Sequence, residues 1–523
     1  MQIRPSLCVQ AREGRLHVFL PYASKLADYL DLVSAVEDTC QHPHIPVWLE
    51  GYPPPSDPRL RSFSITPDPG VLEVNLPPAS NWDDLEQINT LLFEEARHNR
   101  LTAEKFVYNG GHLAAGGGSH IVIGGATVLD SPFLRRPDLL RSMLAFWQNH
   151  PSLSYLFSGM YVGPTSQSPR VDEARMEALY ELEVAFGNLP ASDCPPNIVN
   201  GLFRNLLVDV TGNAHRAEFC VDKLYPPEGL GLRLGLLELR AFEMAPHVRM
   251  GLIEMLLIRA LICMFWERPF DGGLVRWGTA LHDRFMLPHF VRRDFSDVLS
   301  YLRRSDYKFE EKWFASHFEF RFPKIGSIAV EGVELELRAA LEPWNVLAEE
   351  TTSGRTARTV DSSFERIQVK LAGFSAESRY VVACNGRRVP LHDTGLCGSG
   401  AEPHHHTVAG IRYRARQLSE MLHPTIPVHA PLIFDIIDCW KERSIGRCVY
   451  HVGSPDGRAY TARPVNAAEA ADRHRQRFQK SDPTPGLIAT PEEEINPICP
   501  MTLDLRLPPP GKQTHIKKSG LVS

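Results

Sequence analysis

Tyr108-Asn-Gly-Gly-His-Leu-Ala-Ala-Gly-Gly-Gly-Ser-His-Ile-Val-Ile-Gly-Gly-Ala-Thr-Val-Leu-Asp-Ser-Pro132 is the stretch on which the reading of this chain turns. It holds seven glycines, the histidines His112 and His120, and almost no charge. Gly116, Gly117 and Gly118 run into Ser119 and His120, and the β-branched Ile121-Val-Ile123 follows. That order predicts a flexible turn feeding a short buried strand, with His120 at its mouth. Glycines lack a Cβ, so their backbone N–H groups can approach a bound anion. Two readings stand: a ligand loop, or a glycine-rich surface hairpin without one. The spacing matches neither the phosphate loop ending in Gly-Lys-Ser/Thr nor the Gly-x-Gly-x-x-Gly dinucleotide turn. Phosphate bound here implies another fold.

Downstream, two strand-like runs embed charge among apolar neighbours, at 214–224 and 233–244. In the second, period-two alternation puts Glu238, Arg240 and Phe242 on one face. An acid and a guanidinium two apart can serve one ligand, the acid through a divalent cation and the arginine through an anion. A salt bridge on a wet sheet face is the plainer alternative. Upstream, Gly70-Val-Leu-Glu-Val-Asn-Leu76 carries Glu73 in the middle of a short apolar strand. A carboxylate there faces water, or meets a metal or an arginine, because burying it unpaired is costly.

Local patterns place the other elements. A hairpin is predicted over 3–20, a helix from Ser24 to Gln41, and a strand Pro46–Gly51 that ends on Glu50. Helices are predicted at Asn81–Arg100, Pro137–Asn149 and Asp172–Gly187. Met250–Trp266 reads as a core helix, too short and too charged to span a bilayer. His282 and Asp283 are adjacent, and adjacent helical residues point apart. Capping and packing are their expected jobs, with a hydrolase using His282, Asp283 and Ser119 as an alternative. From about Pro323, short alternating segments separated by turn residues predict a β-rich, sandwich-like domain. Thr394–His406, with its triple histidine, reads as a solvated loop, and no chemistry is assigned to His423 and His429.

The 523 residues predict two or three domains. The boundaries expected are 1–322, 323–477 and a disordered, proline- and charge-rich tail at 478–523. A net charge of −6 gives no electrostatic case for nucleic acid or an anionic membrane. Ten scattered cysteines without a Cys-x-x-Cys pair, and no leader sequence, predict reduced thiols in the cytoplasm.

Several blocks together resemble one bacterial family: 66–78, 116–127, 130–140, 150–159, 163–173 and 236–244. It is an amidoligase domain that commonly sits behind a transglutaminase-like domain in a much longer polypeptide. The resemblance covers about residues 4 to 480. It implies likeness to carboxylate–amine ligases of glutamine synthetase and glutamate–cysteine ligase type. The implied fold is α+β, with a curved antiparallel sheet and flanking helices, followed by the smaller β-rich domain. The implied reaction is ATP- and Mg-dependent amide formation on a peptide or amino acid through an acyl phosphate. A separately encoded transglutaminase-like protein is an implied partner. Carried over by residue, the metal ligands are Glu73 and Glu238, with Glu50 and Glu218 as further candidates. Arg240 and His120 are the implied catalytic groups, and Gly116, Gly117, Gly118, Ser119 and His120 the nucleotide-binding ones. Two departures stand out. Gln10 occupies a place where the family's relatives carry an acid, and Gly111-His-Leu-Ala-Ala115 is more apolar than the usual version. They keep open a degenerate member that binds a peptide or nucleotide without turnover.

Overall fold

The computed structural model describes residues 6–41, 45–55, 57, 59–68, 70–175, 177–189, 196–224, 234–352, 355–374, 379–397 and 404–509. It divides into two units, Met1–Ala79 and Ser80–Ser523. In the first, a turn at Glu13-Gly14, both with positive φ, folds β1 (Cys8–Arg12) onto β2 (Arg15–Leu20). Helix α1 (Leu26–Gln41) then lets β3 (Val47–Gly51) pair parallel with β2. A separate hairpin joins β4 (Ser64–Asp68) to β5 (Val71–Asn75).

The second unit opens with α2 (Trp82–His98), capped where the Asn81 side chain accepts from the Asp84 N–H at 2.9 Å. A hairpin of β6 (Glu104–Phe106) and β7 (His112–Ala114) leads to the glycine run and β8 (Ile121–Ile123). Next come α3 (Pro132–Arg135), α4 (Pro137–Asn149) and α5 (Pro151–Tyr155), each starting on a proline that pre-sets the helical φ. The predicted helix at 172–187 is two pieces, α6 (Val171–Ala174) and α7 (Ala178–Gly187), broken where Arg175 is extended. Helix α8 (Pro196–Phe203) precedes β9 (Phe219–Cys220) and β10 (Leu237–Leu239). The apolar α9 (Val248–Glu267), α10 (Ala280–Arg284), α11 (Pro288–Arg304) and α12 (Ala315–Arg321) complete the helical part. Phe133, Trp147, Phe157, Phe242, Leu257, Phe295 and Phe314 belong to one buried cluster beneath β10. Glu254 in α9 is buried with His317 of α12, Oε1 to Nε2 at 3.0 Å. No helix among the described residues is long and apolar enough to cross a membrane.

The curved antiparallel sheet of glutamine synthetase type does not form. In its place stand four small sheets, β1-β2-β3, β4-β5, β6-β7 and β8-β10-β9, none closed or strongly curled. The physical reason is strand length and direction. Strand β8 stops after three residues at Gly124-Gly125, where a Cβ on Gly125 would lie 2.4 Å from the Asp130 carbonyl carbon. Strand β9 has only two residues, and β3 runs parallel to β2.

Beyond α12, a hairpin turn at Glu331-Gly332 divides β11 (Lys324–Val330) from β12 (Val333–Ala340). The remaining strands are β13 (Asn345–Thr352), β14 (Arg355–Asp361), β15 (Phe364–Phe374), β16 (Tyr380–Cys384), β17 (Arg387–Arg388), β18 (His392–Cys397) and β19 (His404–Arg414). Then follow β20 (Leu432–Asp438), β21 (Arg443–Tyr450), α13 (Ala467–Gln476), β22 (Phe478–Ser481) and β23 (Thr502–Asp504). One sheet runs β11-β12-β15-β19-β18, with β23 parallel to β19, a second runs β17-β16-β20-β21-β22, and β13 pairs with β14 in a hairpin. Leu335, Val369 and Ile411 of the first sheet and Phe434, Ile436 and Cys448 of the second belong to one core. The triple histidine opens β19, not a loop, and residues 398–403 lie outside the described residues. Arg414 binds the carbonyl of Leu422 at 2.9 Å and that of His423 at 3.0 Å, while His429 Nδ1 accepts from the Arg414 N–H at 3.1 Å. Those histidines therefore hold a turn together. The tail expected to be disordered carries β22 and β23 and buries Met501, Leu503 and Leu505, while 510–523 lie outside the described residues.

Candidate functional site

Strand β10 lies between β8 and β9, with Glu238 opposite Val122 on one side and Cys220 on the other. Both neighbours hold its backbone, so the Glu238 carboxylate is almost wholly buried. Two cations and an imidazole meet it there. Arg240 Nη1 donates to Oε1 at 2.7 Å, His120 Nδ1 lies 3.1 Å from Oε1, and Lys223 Nζ lies 3.0 Å from Oε2. Burial alone raises the carboxyl's pKa, but His120, Arg240 and Lys223 outweigh it and bring it down to about 2. Glu238 is thus ionised and shared. The Arg240 Nε atom is buried without a hydrogen-bond partner.

The glycine run docks alongside the continuation of β10. Gly118 bridges to Glu243, the Ser119 N–H donates to the Phe242 carbonyl at 2.9 Å, and the Met244 N–H donates to Gly117 at 3.2 Å. The Ser119 amide is therefore engaged by protein, while Gly116 and Gly118 are exposed. Gly118 sits against the imidazole: a Cβ there would lie 2.4 Å from His120 Nε2. This close approach lets the histidine lie over its own loop and reach Glu238. The second loop histidine, His112, lies apart on the β6–β7 hairpin, 2.5 Å from Glu104 and stacked on Phe106.

The other predicted residues have different surroundings. Glu218 directly precedes β9, and its side chain turns inward among Trp147, Ser154 and Arg170. Burial pushes its carboxyl up to about 7, against the pull of Arg170 and a hydrogen bond from Ser154. Glu50 and Glu73 belong to the N-terminal unit. Glu50 is paired with Arg12 and lies 2.8 Å from His17 Nδ1, and these contacts, His17 first, lower its pKa. Glu73 is exposed and accepts from Asn75 Nδ2 at 3.2 Å. Gln10 is exposed opposite His17.

The hydrolase alternative loses its dyad. His282 Nε2 meets Glu173 Oε1 at 2.7 Å, an oxygen that also accepts from the Tyr155 hydroxyl at 2.6 Å. Asp283 accepts from the Met501 N–H at 2.9 Å and the Thr502 hydroxyl at 2.7 Å. Adjacent positions on α10 face different partners, as helical geometry requires.

Two features were missed by sequence reading. Lys223 sits past the end of β9, where no strand period extends to it. His215, Cys220 and Asp222 place three donor atoms within 4.8 Å of one another, the group among the described residues able to hold a metal ion. Their spacing in sequence matches no familiar metal motif. The Cys220 thiol is pushed up to about 11 by burial.

Magnesium takes about six oxygen ligands at ~2.1 Å. The Glu238 oxygens already face Arg240, Lys223 and the His120 imidazole, and the Glu218 carboxyl resists ionisation, so these carboxylates of the C-terminal unit do not fit that ion. An anion is a different matter. His120, Lys223 and Arg240, with the orphaned Nε donor of Arg240, suit a phosphate or a carboxylate.

Among known proteins, the model of one family, DUF2126, described as "Putative amidoligase enzyme", matches residues 1–506. No curated protein and no solved structure matches the chain.

Proposed function

This chain belongs to the DUF2126 family, and from that premise we propose that it is an amidoligase joining a carboxylate to an amine on a peptide or amino acid. In this reading the reaction is ATP-dependent and passes through an acyl phosphate. The observation that carries it is the Glu238 cluster, where the Arg240 guanidinium and the Lys223 ammonium on one carboxylate leave an excess of positive charge beside the His120 imidazole. Arg240, Lys223 and His120 would hold the nucleotide's phosphates or the substrate carboxylate. ATP, when bound, supplies the phosphoryl group that converts a poor leaving oxygen into a good one. The chain's own residues orient and neutralise. Glu238 fixes the Arg240 guanidinium and the Lys223 ammonium in place, so little reorganisation is needed as negative charge shifts between oxygens. The resemblance implies magnesium as well, and the carboxylates of this cluster do not suit it.

The test is ADP release coupled to amide formation, over a panel of amino acids and peptides with ammonium and amine acceptors. ADP and amide should appear in equal amounts for at least one pair. Arg240→Ala should lower the rate by about 100-fold or more, as removal of one charge-stabilising donor does. The fully engaged Glu238 and the amide Gln10 favour a second reading, a nucleotide- or peptide-binding module without turnover. That reading expects ATP to raise the thermal midpoint while no ADP forms. If no ligand shifts the midpoint and no pair yields ADP, both readings fail.

A further inference from the structure

We propose that His215, Cys220 and Asp222 form a site for a borderline transition-metal ion of the zinc class, beside the Glu238 cluster. The backbone sets the three donors close together. The Asn213 side chain accepts from the His215 N–H at 2.9 Å and fixes the turn Ala214–Arg216. Cys220 is held by its pairing with Glu238 in the sheet, and Asp222 follows two residues on. His215 Nε2 lies 3.3 Å from Asp222 Oδ2, and Cys220 Sγ lies 3.9 Å from His215 Nδ1. A single ion takes one imidazole nitrogen, and with one atom from each residue the three donors lie within 4.8 Å of one another. Donors bound to zinc at about 2.0–2.3 Å in a tetrahedron stand roughly 3.3–3.6 Å apart, so rotation of the exposed His215 ring must draw the set in.

The donor chemistry selects the metal. A sulfur and an imidazole beside one carboxylate suit zinc and its neighbours, whereas magnesium and calcium need oxygen throughout. Binding exchanges the Cys220 S–H proton for the ion, and the proton leaves to solvent. His215 is exposed, so at least one coordination position stays open to water. The ion has a structural consequence too. Asp222 directly precedes Lys223, so a metal there anchors the segment that presents the ammonium to Glu238.

The experiment uses the full chain, stripped with a chelator and dialysed against zinc, with metal per chain measured by plasma emission. Cobalt serves as a spectroscopic probe. One zinc per chain is expected to resist millimolar magnesium, and cobalt should give a near-ultraviolet thiolate charge-transfer band. Cys220→Ser should abolish that band, and Cys263→Ser, at an exposed cysteine, should keep it. Cys220 is buried, so its variant could misfold. His215→Ala and Asp222→Asn, at more accessible positions, should each weaken zinc binding about 100-fold while the circular dichroism stays native. Absence of stoichiometric zinc overturns the site, as does a cobalt band that survives Cys220→Ser or an affinity untouched by His215→Ala.

Discussion

Glu238 lies within β10 and Glu218 just ahead of its neighbour β9, yet their protons respond in opposite directions. The folded chain holds Glu238 far below an ordinary glutamate, so its contribution to stability is complete above about pH 4.5 and fades as pH falls toward 2. Urea unfolding of Glu238→Gln against the native chain should show a deficit of roughly 1–3 kcal/mol at pH 7 that shrinks at pH 3. For Glu218 the folded value lies above the unfolded one, so the native state loses stability as pH rises from about 4.5 to about 7. Glu218→Gln, neutral throughout, should therefore unfold later than the native chain at pH 8, by up to roughly 3 kcal/mol, and should lose that advantage at pH 4. The two measurements use one assay and must differ in sign. Glu238 and Arg240 could be read from the sequence because period two puts them on one face. The inward turn of Glu218 could not, since its neighbours Trp147, Ser154 and Arg170 come from elements far away in the chain.

At the scale of elements, the glycine run works through contact rather than freedom. Gly118 has no positive φ, so alanine is conformationally acceptable there, but its methyl group would displace the His120 ring. Gly118→Ala should leave the unfolding midpoint nearly unchanged and weaken phosphate or nucleotide binding as much as His120→Ala does. In calorimetry the double variant should be no worse than either single one, because both remove the same imidazole. The helix at Pro137–Asn149 was legible to the residue, since proline at its start and a strong apolar stripe mark both ends. The break at Arg175 was not, because the apolar spacing runs through it uninterrupted. The hairpin at Glu331-Gly332 was hidden for a similar reason: alternation continues on both sides of a two-residue turn. The curved sheet expected from family likeness failed at this scale also, because likeness in sequence blocks carries no information on how strand ends are cut by Gly124 and Gly125.

Across the whole molecule, the helical and β-rich parts of the C-terminal unit are joined by buried polar clamps. Arg366 donates to the His282 carbonyl at 2.6 Å and to Glu342 at 2.8 Å, while Asp283 holds Met501 and Thr502. Removing the Asp283 carboxylate leaves two buried donors unpaired, a cost of about 2–4 kcal/mol. Asp283→Ala should accordingly expose the segment around 485–500 to limited proteolysis at enzyme concentrations that spare the native chain. Nothing in the composition of that segment announces its role. Prolines and charge suggest a loose tail, whereas Met501, Leu503 and Leu505 are buried because β19 offers an edge for β23. The Asp283 contact with Met501 spans 218 positions of sequence. During translation, then, the helical part can leave the ribosome long before its partner strand has been made. A nascent chain halted in between presents an open β19 edge and an unpaired buried carboxylate, the kind of surface that chaperones shield and proteases sample.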